Sequence, residues 1–130
     1  MKVWVKAVIL IAAILIIIVV SSMFVHNYLK SSSQKIINHI ENIEENTRNN
    51  DWHKAEEIVS TLESLWSDTK SKWSVLIDHN EIDNIDESLT RVSSYIEERE
   101  KKLALAELSL LKQMVQHIPE KEALALENVF

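Results

Sequence analysis

The chain has 130 residues, a formal charge of −6, no glycine, no cysteine and one proline, Pro119. Without glycine, phosphate-cradling loops, dinucleotide turns and nucleophile elbows cannot take their usual form, and primed hairpin turns are disfavoured. Without cysteine there is no disulfide, thiolate metal site, cysteine nucleophile or lipoprotein anchor.

What remains is an all-α protein: an N-terminal transmembrane helix, then an antiparallel bundle of about three long helices and a short C-terminal tail. The expected division is 1–30 for the anchor and 31–130 for the bundle. Removing Lys2, Lys6 and Lys30 from the 14 basic residues leaves 11 against 20 acidic ones in 31–130, a net of −9. A domain so acidic repels phosphate backbones, so nucleic acid is not an expected partner.

Residues 7–25 read AVILIAAILIIIVVSSMFV, without a charge. At 1.5 Å per residue this helix nearly matches a hydrocarbon core of about 30 Å. Trp4 and Tyr28 flank it at the depth where amphipathic rings favour the interface. The expected partner of 7–25 is the lipid bilayer, as an uncleaved signal anchor in the plasma membrane. A cleaved signal peptide is a weaker reading: Ser21 and Ser22 offer no A-x-A site, and the run continues through Val25. A buried helix of a soluble protein is weaker still. Lys2 and Lys6 before the span nearly balance Lys30 and Lys35 after it. The favoured orientation keeps the N-terminus in the cytoplasm and the bundle outside.

After the span, Ile36, Ile37, Ile40 and Ile43 recur at helical spacing with no breaker before them, so the span runs on as a stalk. Asn49, Asn50 and Asp51 form the first break: Asn tolerates a left-handed cap, and Asp51 suits an N-cap. A helix over about 52–78 follows, with a seam of Trp52, Ala55, Val59, Leu62, Trp66, Trp73 and Leu76. Thr69 fills the skipped position. The next helix starts near Glu81, capped by Asn80, with Ile82, Ile85, Leu89, Val92 and Ile96 in steps of three and four. Leu103, Leu108, Leu111, Met114, Val115 and Ile118 extend the stripe. EEREKK at 97–102 is either a solvated face or a bend. PEKEALALENVF reads as a short terminal helix or docking tail, with Pro119 in its first turn.

These stretches carry a family resemblance. A DWxxA helix (Asp51, Trp52, Ala55) is followed by two tryptophans, LIDHNEID, SLTRVSSYIEE and a closing HIPEKEALALENVF. The chain resembles domain-of-unknown-function family 4363, small single-span proteins of spore-forming, low-GC Gram-positive bacteria. The resemblance implies no activity, cofactor or catalytic residue. Genes of that family often lie beside those of a multi-span membrane family, which points to a membrane partner. The DWxxA helix also resembles one helix of a tetratricopeptide repeat, but the glycine and tyrosine pattern and an internal period are missing.

The best polar cluster is Asp78, His79, Glu81 and Asp83. As a calcium loop it fails, because Ile82 takes a ligand position and no glycine follows. Capping and turn formation explain it better. His26, His39, His53 and His117 contain no pair three or four apart, as a one-face zinc site requires. Trp66 and Trp73, seven apart, favour core packing over lining a groove. No residue is assigned a catalytic, cofactor-binding or metal-ligating role, no cofactor is expected, and the chain is not read as an enzyme. The expected function is a membrane-anchored helical interaction module, accessory to a multi-span membrane protein or to its own copy. The alternative is an extracytoplasmic small-molecule sensor.

Overall fold

The computed structural model describes residues 2–129, with side chains placed for all of these except 125–127 and 129. Four helices make up most of them: α1 (Val3–Arg48), α2 (Trp52–Leu76), α3 (His79–Glu97) and α4 (Lys101–Val129). Each packs on its neighbours in the ring α1–α2–α3–α4–α1, which is an up-down-up-down bundle. The apolar run continues unbroken into the bundle: α1 is one helix of 46 residues.

That helix has two environments. From Val3 to Phe24 its large apolar side chains, apart from the half-buried Val5, are between 42 and 83 % exposed. From Leu29 onward the same helix supplies Ile36, Ile37, Ile40 and Ile43 to the core. The core is completed by the expected seams of α2 and α3, except that Trp52 and Leu76 at the ends of α2 are only half-buried, with Ile58 added, and by Ala104, Leu108, Leu111, Val115 and Ile118 of α4.

Two turns are made without glycine. Asn50 and Arg99 both adopt positive φ, 58° and 56°. Asp51 N–H donates to the Asn46 carbonyl at 2.9 Å, and Asn50 N–H to Thr47 at 3.1 Å. Glu100 N–H to Tyr95 at 2.8 Å, with Arg99 N–H to Ile96 at 3.1 Å, repeats the pattern. Both are Schellman closures with the left-handed residue just past the helix. Asp51 then caps α2, accepting from Lys54 N–H at 3.2 Å. Lys101 adds a cation to the first closure, donating to the Arg48 carbonyl at 2.8 Å.

Three expectations change in detail. EEREKK is the bend, so the apolar stripe from Glu81 to Ile118 is carried by two helices. The bend resets the helical phase: Leu103 is half exposed and Ala104 takes the core position. Pro119 lies inside α4 rather than opening a terminal helix. Proline supplies no N–H, so the Val115 carbonyl loses its helical donor. Ser33 Oγ of α1 donates to that carbonyl at 2.9 Å instead, and both residues are buried. Phe130, the end of the expected tail, lies outside the described residues.

Candidate functional site

The tryptophans belong to the core. Trp73 is fully buried and Trp66 nearly so, with ring centroids 5.5 Å apart at 85°, an edge-to-face pair. Their N–H groups reach opposite walls of the bundle. Trp73 Nε1 donates to Ser32 Oγ of α1 at 2.9 Å, and Ser32 Oγ donates onward to the Tyr28 carbonyl at 2.7 Å. Trp66 Nε1 donates to Asp86 Oδ1 of α3 at 2.7 Å, while the Lys70 ammonium donates to Oδ2. Burial pushes the Asp86 carboxyl up, but the hydrogen bonds from Lys70 and Trp66 and the Lys70 charge outweigh it, leaving it below the usual carboxylate range.

The polar stretch at 78–83 is a helix corner. Ile77 is extended, and Asp78, not Asn80, is the N-cap; its carboxylate accepts from Asn80 N–H at 3.0 Å. The aspartate two residues earlier can reach the first free amides, whereas Asn80 is already inside the helix. Glu81 turns to α4 and pairs with Lys121 at 2.8 Å. That hydrogen bond, with the Glu81 charge, raises the Lys121 pKa. His79 and Asp83 stay exposed. Among the described residues no group of three or more His, Asp or Glu side chains is arranged to hold a metal ion.

Several working polar residues carry no sequence signal of their own. Glu44 is buried on α1 with Lys112 Nζ of α4 at 2.8 Å, outside hydrogen-bond geometry, and Arg48 at 3.5 Å. Glu107 accepts from Ser88 Oγ at 2.8 Å and Arg91 Nε at 2.9 Å, joining α3 to α4. Only the paired helices reveal these partners.

One opening lies at the end of the α1–α4 seam nearest the apolar run of α1. A cleft of about 460 Å³ is bounded there by His26, Lys30 and Gln34 of α1 and Gln116 and Glu120 of α4. It lies beside the point where the uncharged run ends at Val25. The α2–α3 corner lies at the same end of the bundle, with Val75 83 % exposed.

The family described as "Domain of unknown function (DUF4363)" matches residues 23–129. The chain belongs to that family. The match begins at the last residues of the apolar run and takes in the whole bundle, α1 from Met23 together with α2, α3 and α4. The DUF4363 unit is therefore an up-down-up-down bundle whose first helix reaches back into the apolar segment. No curated protein and no solved structure matches the chain.

Proposed function

We propose that this DUF4363 protein is a membrane-anchored helical interaction module, an accessory to a membrane protein or to a second copy of itself. The observation that carries the reading is the change of environment along α1. Fifteen large apolar side chains between Val3 and Phe24 lie exposed on a helix whose continuation forms one wall of the core. Covering them contributes on the order of tens of kcal/mol. Among the described residues nothing packs over the most apolar window of that helix, and a lipid bilayer is the cover that fits its length and composition. The favoured arrangement is a single pass in the plasma membrane, with the N-terminus cytoplasmic and the bundle extracytoplasmic.

For the small-molecule sensor reading, Trp73 is enclosed in the core, whereas Trp66 borders a shallow opening of about 260 Å³ with Glu63, Lys70 and Asp86. Crosslinking and pull-down of the full-length protein from its own membrane tests the interaction reading. A multi-span protein or a second copy should be recovered, and more weakly with residues 31–130 alone. Replacing residues 7–25 by polyleucine asks whether the span recognises the partner or only tethers the bundle. Failure to recover any partner or copy from native membranes would sink the reading. A metabolite that clearly raises the melting temperature would favour a sensor.

A further inference from the structure

We propose that the end of the α1–α4 seam nearest the apolar run holds one phospholipid with an amine-bearing headgroup of the phosphatidylethanolamine type. This rests on the membrane-anchored reading, and three observations carry it.

The first is depth. With the hydrocarbon edge at Val25, the α1 rise places His26 about 1.5 Å and Lys30 about 7.5 Å beyond it. Headgroups and interface occupy roughly 5–7 Å on each side of the hydrocarbon core. The cleft bounded by His26, Lys30 and Glu120 therefore opens at the phosphate layer. Its volume of about 460 Å³ lies within the range of small-ligand sites.

The second is continuity. A smaller opening of about 200 Å³, lined by Ser21, Ser22, Val25, His26 and Glu122, lies on the bilayer side. His26 lines both openings, so one lipid could place its headgroup above that ring and its first chain carbons below. His26 Nδ1 is enclosed without a hydrogen-bond partner, whereas His39 Nδ1 meets the Lys35 carbonyl at 2.8 Å.

The third is charge. Among the described residues Lys30, Glu120 and Glu122 have no ion-pair partner, unlike Lys121, which Glu81 holds. Within the headgroup cleft itself one cation, Lys30, faces one anion, Glu120, and Glu122 belongs to the smaller opening. Lys30 and Glu120 suit a zwitterion, with its phosphate at Lys30 and its ammonium at Glu120. The amides of Gln34 and Gln116 complete the polar wall.

The test uses full-length protein in two steps. Flotation with phospholipid vesicles comes first; a wild-type chain that stays at the bottom overturns the anchoring reading itself. Floating protein is then equilibrated with equal phosphatidylethanolamine, phosphatidylglycerol and phosphatidylcholine and examined by native mass spectrometry. One retained phosphatidylethanolamine is expected. Lys30→Ala and Glu120→Gln should each reduce its retention about tenfold, the usual scale for a lost charge-assisted contact, while still floating. Lys35→Ala, off the cleft, should leave retention unchanged. Equal retention of phosphatidylglycerol, or full retention by both cleft variants, overturns the site. Displacement by millimolar O-phosphoethanolamine would show a pocket for the free headgroup and overturn the lipid assignment.

Discussion

Ser33 and Pro119 compensate for one another across two helices. Proline removes a donor from α4, and a hydroxyl on α1 replaces it at the Val115 carbonyl. Removing the hydroxyl strands a buried acceptor, so Ser33→Ala should cost about 1–3 kcal/mol. With Pro119→Ala in the same chain the helical N–H returns, and the cost of Ser33→Ala should fall below about 0.5 kcal/mol, a coupling that a double-mutant cycle isolates. Denaturant unfolding of the full chain in mild detergent, followed by tryptophan fluorescence, measures both; equal costs in the two backgrounds would refute the pairing. Asp86 makes a pH prediction. Its folded pKa lies below the unfolded value of about 3.9. The stability it contributes is therefore present above that value and lost as pH falls through the lower folded one. Asp86→Asn keeps an acceptor for Trp66 but loses the ion pair with Lys70. The wild type should exceed Asp86→Asn in stability at neutral pH, and the gap should close on acidification below about pH 4. A gap unchanged down to pH 2 would show that the carboxylate charge is idle.

At the level of the helices, the two glycine-free closures differ in strain. Asparagine tolerates the left-handed region, whereas arginine gains nothing local to offset its Cβ crowding. Arg99→Gly should stabilise the bundle by about 0.5–1 kcal/mol, while Asn50→Gly should be nearly neutral. Melting curves of the two variants check the contrast. The same asymmetry explains how far the sequence could be read. The break at 49–51 was legible because Asn and Asp have backbone-directed side chains. The break at 98–100 was not, because nothing about arginine announces a positive φ, and EEREKK remained open between face and bend. The seams of α2 and α3 were legible because their apolar spacing is regular. Leu103 was misplaced because the unseen bend changes the phase. In the polar stretch the turn was legible, but the choice of Asp78 over Asn80 depended on where Ile77 leaves the helix. The Asp86, Glu44 and Glu107 partnerships join residues 16 or more positions apart and need the packed helices to become visible. Trp73 was expected in the core and is there. Trp73→Ala should cost about 3–5 kcal/mol, as truncation of a fully buried ring does, and a change under about 0.5 kcal/mol would mean that the ring is not packed.

For the whole molecule, anchoring predicts that the full chain resists alkaline carbonate extraction and that a chain lacking residues 1–25 is released. A mature protein beginning near residue 23 would instead reveal cleavage. Protease digestion of residues 31–130 in intact protoplasts tests the proposed orientation, and complete protection would reverse it. The continuity of α1 has a mechanical consequence. Neither proline nor glycine interrupts the helix between the apolar segment and Arg48, so it carries no proline or glycine kink. From His26 to Arg48 it forms a lever arm of about 35 Å. Spanning helices adjust to bilayer thickness by changing tilt, with inclinations of about 20° common. A swing of that size would carry the far tip of the bundle sideways by about 12 Å. Thinning or thickening of the lipid would thus become a displacement large enough for a neighbouring protein to register.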